Sequence, residues 1–305
     1  MSSVLTIGNF DGVHLGHQNL LARLRNHAHK LALPAAVLTF EPHPREFFAP
    51  ESAPARLSSL REKLALIERC GIDQIYICRF NAGLAALSAQ QFIERVLVQG
   101  LSVRHLIIGD DFRFGKGRQG DFAMLEAAGK TYRFGIEAMH TVSVGDERVS
   151  SSAVRDCLEQ GDIEHAARLL GRPYCIAGRV IHGDKIGRKL GFATANVQLK
   201  RRRVALSGVF VVTVEGAGPA VRHGVANVGV RPTVSSEARP TLEVHLLDFG
   251  AVLYGAHLTV NFLHKLREEM KFAGLDALTA QIARDVEQAK EYFAAREGAG
   301  RQTPQ

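Results

Sequence analysis

The order of hydrophobic segments changes character once along this chain, and that change limits its fold more than any other feature. In the first third, short apolar runs alternate with stretches of helical spacing. Val4–Ile7, Ala35–Phe40, Gln74–Phe80 and His105–Gly109 read as strands. Gln18–Leu31, Leu57–Cys70 and Ala89–Val98 read as the helices between them. Within Leu57–Cys70, the residues Leu57, Leu60, Leu64 and Ile67 recur on one face of a 3.6-residue period. A strand–helix alternation of this kind predicts a parallel sheet covered by helices on both faces. Ligands of such sheets bind beyond the carboxyl ends of the strands, so the loops after Ile7, Phe40, Phe80 and Ile108 are the candidate site.

Two short helices, Ser152–Gly161 and Asp162–Leu170, follow, and Gly171, Arg172 and Pro173 break the pattern. Six short β-rich segments come next, separated by Gly or Pro: Tyr174–His182, Ala195–Leu199, Val209–Glu215, Gly224–Val230, Leu242–Asp248 and Leu258–Leu263. Consecutive short strands predict a small antiparallel barrel. A last helix, Leu275–Ala294, closes it. The expected architecture is therefore an α/β domain at 1–171 and a β-barrel domain with a C-terminal helix at 172–305. A length of 305 residues accommodates two such domains.

The net charge of +7 is spread along the chain, and the one dense basic run is Lys200–Arg203. Dispersed charge favours an anionic small molecule over nucleic acid as the partner. The four cysteines, Cys70, Cys78, Cys157 and Cys175, form no C-x-x-C pair. Neither a zinc site, a dithiol nor a disulfide framework is expected from them. The start MSSVLTIGNFDG lacks a basic segment followed by an apolar core, and no apolar run is long enough to span a bilayer. The expectation is a reduced, cytoplasmic protein without a membrane partner; self-association is left open.

The loop after the first strand reads GNFDGVHLGH, Gly8–His17. Gly8 and Gly12 permit tight turns and close backbone approach to a ligand. His14 and His17 are three residues apart at a helix start, which sets both imidazoles on one face. Free N–H groups and the helix dipole favour phosphate there, and two histidines add donors for charge on a transferring phosphoryl group. Taken alone, H-x-x-H reads equally as a metal pair or as surface histidines; the Gly-rich strand-to-helix context favours phosphate chemistry.

His14-Leu15-Gly16-His17 matches the H-x-G-H motif of nucleotidyltransferases, and the wider run resembles the bacterial bifunctional riboflavin kinase/FMN adenylyltransferases, also called FAD synthetases. The resemblance continues through TFEPHP (Thr39–Pro44), GDDFRFGKGRQGD (Gly109–Asp121), VSSSAVR (Val149–Arg155), GDIEHAARLLGRPY (Gly161–Tyr174) and GDKIGRKLGFATAN (Gly183–Asn196). It ends with NVGVRPTV, TLEVHLLDF, LYG and LREEMKF, and so covers nearly the whole chain. It implies that His14 and His17 are catalytic in adenylyl transfer, contacting the ATP phosphates. The loop Gly8, Asn9, Phe10, Asp11 and Gly12 would line the nucleotide. Ser151, Ser152 and Arg155 would supply the second phosphate-binding signature, with Ser152 where the family usually has Thr. Asp111, Phe112 and Arg113 would belong to the flavin-binding loop. FMN brings its own anionic phosphate as nucleophile, so this transfer needs positioning and charge neutralisation rather than a general base.

Riboflavin offers a neutral alcohol instead, so its phosphorylation calls for a carboxylate base, Mg²⁺ and a phosphate cradle. Gly183, Lys185, Gly187 and Arg188 make a glycine- and cation-containing loop suited to ATP phosphates, although turns in barrels look alike. Ala193-Thr194-Ala195-Asn196 resembles the family's P-T-A-N motif, with Ala193 in place of Pro. The resemblance implies that Thr194 and Asn196 ligate Mg²⁺, a cation that takes hard oxygen donors. Glu243 lies out of phase with Leu242, Val244 and Leu246, and the resemblance makes it the catalytic base. Phe210 stands where the family more often has Tyr, and Arg267 is a candidate contact to flavin or phosphate. The expected substrates are riboflavin, FMN and ATP, with FAD as product. Two other readings fit parts of the sequence: a nucleotidyltransferase with another phosphorylated acceptor, and a basic RNA-binding module. The barrel motifs weigh against the first, and the second rests on charge alone.

Overall fold

Ser3–Ile7 (β1) is buried at every residue, as a central strand covered on both faces must be. The computed structural model describes residues 2–140, 142–183, 191–231 and 239–300. β1 leads into Leu15–Lys30 (α1), Ala35–Glu41 (β2), Pro44–Phe48 (α2), Leu60–Arg69 (α3) and Gln74–Arg79 (β3). Ala82–Ala85 (α4) and Ala89–Phe92 (α5) follow, the latter running into a π-helical stretch at Ile93–Gly100. Then come Val103–Gly109 (β4), Phe122–Tyr132 (α6), Gly135–Met139 (β5) and a two-residue hairpin of Ser143–Val144 (β6) with Glu147–Arg148 (β7). The five long strands form one parallel sheet in the order β3-β2-β1-β4-β5. Side chains alternate between two apolar layers. Leu5, Ile7, Leu38, Leu106 and Ile108 pack with Phe92, Ile93, Leu97 and Leu125. Val4, Val37 and Ile107 pack with Leu21, Leu24 and Ile67.

The chain goes on through Ser151–Gln160 (α7) and Ile163–Leu170 (α8) into the strands Tyr174–Ile181 (β8), Thr194–Val197 (β9), Gly208–Glu215 (β10), Arg222–Arg231 (β11), Arg239–Leu246 (β12) and His257–Arg267 (β13). These close into an antiparallel barrel in the order β10-β11-β12-β9-β8-β13. The last helix, Leu275–Gly300 (α9), places Ala289 and Phe293 against Val209, Val211 and Val225 on the barrel's outer face. A parallel α/β unit followed by an antiparallel barrel and helix is the architecture expected from sequence.

Several elements differ from their sequence-based limits for identifiable reasons. The helix expected from Leu57 begins after Ser59, whose hydroxyl accepts from Glu62 N while the Glu62 carboxylate accepts from Ser59 N. That capping box fixes the start, and Leu57 is buried outside the helix. Likewise α1 begins at Leu15 because the His14 side chain caps it. Sequence reasoning passed over α6 and β5. By contacts the chain separates into two units, Met1–Pro54 with Ser58–Ser151, and Ala55–Leu57 with Ser152–Gln305. This division precedes residue 171 because α8 buries Ile163, Ala166, Leu169 and Leu170 and packs on β8 and β13.

Candidate functional site

In the first unit, the chain leaves β1 with Gly8 N donating to the Leu38 carbonyl of β2 at 3.1 Å. It then turns tightly, with positive φ at Phe10 (48°), Gly12 (81°) and Val13 (42°). Only glycine adopts that region without strain, so Gly12 is fitted to its place. Asp11 is 2% exposed, and its Oδ1 accepts from Ser58 N at 3.0 Å and Ser58 Oγ at 3.3 Å. Gly12 N in turn donates to Ser58 Oγ at 3.1 Å, and Ser151 Oγ donates to the Asp11 carbonyl at 2.9 Å. Asp11, Gly12 and Ser151 thus hold the loop in shape. Thr39 of the TFEPHP motif donates to the Asn9 carbonyl at 3.3 Å and accepts from the fully buried Lys63 at 3.2 Å.

His14 Nδ1 accepts from His17 N at 3.3 Å, which puts the ring proton of a neutral His14 on Nε2. The rings of His14 and His17 stack with centroids 3.7 Å apart and planes 17° apart. Phe10 packs on His17 at 5.0 Å. Burial, then His14 and Lys63, hold the His17 imidazole well below its ordinary 6.5. His17 is therefore neutral at pH 7, and its Nδ1 is buried without a hydrogen-bond partner among the described residues.

A cleft of about 290 Å³ opens here, lined by Gly8, Phe10, His14, His17, Asp111 and Phe112 among others. The structure therefore brings the H-x-G-H motif and the 109–121 loop to one cavity at the carboxyl ends of β1 and β4. Sequence reasoning singled out Gly16 and Ser150 within their motifs but not Met139, His140, Val142 or Arg148, which also line the cleft. Arg148 Nη2 lies 2.7 Å from Asp111 Oδ2, tying the β6–β7 hairpin to the loop after β4. Its place directly before VSSS was the available signal. Arg113 is exposed, with Nη1 3.5 Å from the Phe112 carbonyl. Ser152 and Arg155 fall with the second unit, where Arg155 Nε donates to the Ala55 carbonyl at 2.6 Å.

In the barrel, Asn196 of β9 pairs with Glu243 of β12, and Glu243 pairs with Asn227 of β11. Cross-strand partners share a face, so Asn196, Glu243 and Asn227 lie together on the side opposite the buried Leu242, Val244 and Leu246. Thr194 shares that face two residues from Asn196. Thr194, Asn196 and Gly183 line a cleft of about 150 Å³ with Tyr254. A Cβ on Gly183 would sit 2.3 Å from the Asn196 amide nitrogen, so any side chain there would displace the Asn196 amide. Lys185, Gly187 and Arg188 lie outside the described residues. Phe210 is fully buried, edge-on to Phe262, with Lys265 Nζ 6.0 Å from its ring centroid. Arg267 is held by the almost fully buried Asp285 of α9, through Nε at 2.9 Å and Nη2 at 2.7 Å.

Among the described residues no helix is long and apolar enough to cross a membrane. Residues 1–153 match the FAD synthetase family and residues 170–293 the riboflavin kinase family. The chain is 54% identical to the bifunctional riboflavin kinase/FMN adenylyltransferase of Pseudomonas fluorescens, over 94% of this chain and 92% of that one. It is 51% identical to the Escherichia coli K12 protein of the same name, over 95% and 92%. A Streptococcus pneumoniae crystal structure titled a macrolide-efflux protein superposes with a TM-score of 0.80 at 28% identity, covering 95% of this chain and 94% of that chain. A family match on each half and identity above half along nearly the whole length lead to one assignment: the chain belongs to the bifunctional riboflavin kinase/FMN adenylyltransferase family.

Proposed function

We propose that the first unit transfers an adenylyl group from ATP to FMN through His14 and His17, and that the barrel phosphorylates riboflavin with Glu243 as base. The protein is a transferase of flavin-nucleotide synthesis: riboflavin and ATP give FMN and ADP, and FMN and ATP give FAD and pyrophosphate. The observation carrying the first assignment is the stacked His14–His17 pair in one cleft with Gly8, Asp111 and Phe112. FMN's phosphate attacks the ATP α-phosphorus, and charge builds on the non-bridging oxygens and on the leaving pyrophosphate. The His14 Nε2 proton and a donor on His17 are fixed before the reaction, and fixed donors in a half-buried cleft stabilise such charge. Gly8, Asn9, Phe10, Asp11 and Gly12 would shape the phosphate-side wall, and Ser151, bonded to the Asp11 carbonyl, would hold it in place. Asp111, Phe112 and Arg113 would position the flavin.

In the barrel, Glu243 would take the proton of the riboflavin hydroxyl as it attacks the ATP γ-phosphorus. Thr194 and Asn196 would hold Mg²⁺; a hydroxyl and an amide oxygen on one strand face are donors of the hardness Mg²⁺ takes. The cation supplies charge neutralisation on the nucleotide phosphates. The close passage of Gly183 over the Asn196 amide supports a nucleotide loop at this place, to which Lys185, Gly187 and Arg188 would contribute. Arg267, anchored by Asp285, would offer its remaining N–H groups to flavin or phosphate. We divide the chemistry between 1–171 and 172–305; the family matches ending at 153 and starting at 170 support that division. The test is to incubate the protein with ATP, Mg²⁺ and riboflavin and separate the flavins by chromatography. FMN should appear first and FAD after it; unchanged riboflavin would reject the reading.

A further inference from the structure

Away from the adenylyl-transfer cleft, a second set of chemistry-bearing side chains meets where α1 ends over the sheet. His27 is in the last turn of α1, His105 is near the start of β4, and Glu137 is on β5. Each offers one ligand atom, and the three atoms lie within 4.8 Å of one another. Glu137 Oε2 is 3.8 Å from His27 Nδ1 and 4.0 Å from His105 Nε2. The other carboxylate oxygen pairs with Arg23 Nε, which turns Oε2 toward the imidazoles. The two rings stack with centroids 3.8 Å apart. His105 Nε2 is buried and has no hydrogen-bond partner among the described residues. The backbone makes room for this ring: a Cβ on Gly135, the residue paired with His105 across β4 and β5, would lie 2.2 Å from His105 Nδ1.

We infer that His27, His105 and Glu137 form a transition-metal site that takes Zn²⁺, with water as the fourth ligand. Two imidazoles and one carboxylate are a donor set that zinc accepts, and imidazole sets it apart from the oxygen-only preference of Mg²⁺. Zinc–ligand bonds of about 2.0–2.2 Å require the three atoms to close in by roughly half an ångström each, within reach of small side-chain rotations. Arg23 acts as the outer partner that orients the carboxylate. The carboxyl end of α1 adds favourable dipole for a cation. Arg23 and Lys30 both line the adjoining cleft and are the opposing charges. Of the described lining of that cleft, only Met139 is shared with the adenylyl-transfer cleft, so the ion would brace α1 against β4 and β5 rather than enter the reaction.

The test uses the full-length protein, freed of transition metals and kept in excess Mg²⁺. Zn²⁺ is titrated in competition with a chromogenic chelator, and the thermal midpoint is read with and without it. Wild type should bind one Zn²⁺ tightly and melt at a higher temperature with it. His27→Gln and Glu137→Gln should each weaken that binding by at least about 100-fold, the upper range for losing even an outer partner, and should lose the rise in midpoint. Both variants should keep wild-type rates of FAD and FMN formation without zinc, which reports that they are folded. Zinc binding that is equal in wild type and both variants, or a wild-type midpoint indifferent to zinc, would overturn the inference.

Discussion

Gly16 lies against the ring of His14: a Cβ at this position would stand 3.1 Å from both Nδ1 and Cε1. The glycine inside H-x-G-H is thus what lets His14 cap α1 and stack on His17 in one motion. Gly16→Ala should tilt the His14 ring and lower FMN adenylylation by roughly 10- to 100-fold, the scale of a sub-ångström to 1 Å misplacement. Riboflavin phosphorylation should not change. Steady-state rates for both reactions decide this, and an unaltered adenylylation rate would show that the ring position is not critical.

Glu243 shares a sheet face with Asn196 and Asn227, and among the described residues no other carboxylate stands in register with Asn196. Glu243→Gln keeps the shape and removes the base. FMN formation from riboflavin should fall by roughly 10²–10⁴-fold, while FAD formation from supplied FMN persists. A variant that still makes FMN at the normal rate would reduce Glu243 to a strand-surface residue.

His17 carries a pH signature in stability. Its folded pKa lies below the ordinary 6.5, because of burial first and the charges of His14 and Lys63 second. Between the two values the unfolded chain binds more protons than the folded one. The stabilising contribution is therefore complete above pH 6.5 and is lost as pH falls toward the folded value. Urea midpoints measured from pH 8 to 5 should decline less steeply for His17→Gln than for wild type. A residual slope of the same sign is expected from His105, whose pKa is depressed in the same direction.

Arg267 and Asp285 join the end of β13 to α9 through a bidentate pair, with the aspartate side chain 3% exposed. Removing one partner strands a buried charge. Asp285→Ala should cost about 3–5 kcal/mol of unfolding free energy in the barrel unit, read by denaturant titration. A loss within measurement error would mean that the guanidinium finds solvent or another partner.

Most of the architecture was legible in the sequence because both units follow simple periods. The parallel strands are continuous apolar runs, such as Ala35–Leu38, and the barrel strands alternate, as at Leu242, Val244 and Leu246. What escaped was set by local side-chain chemistry rather than by period. Ser59 and Glu62 decide where α3 starts, and Leu57, though in phase with that helix, is buried outside it. The H-x-G-H pair was visible as a motif, whereas its stacked geometry depends on a helix cap formed by His14 itself. Arg148 was hidden because its partner, Asp111, is distant in sequence and the hairpin carrying it is only two residues long on each side. Arg267 read as a substrate contact from its motif, and its engagement by Asp285 depends on how α9 packs, which no local pattern announces.

If the two chemistries reside in separate sites of one chain, His17→Ala separates them. With riboflavin, ATP and Mg²⁺ supplied, FMN and FAD are quantified over time by chromatography. FMN should form at the wild-type rate, with FAD formation slowed by about 10²-fold or more, so that FMN accumulates. Equal loss of both products, or undiminished FAD, would contradict it.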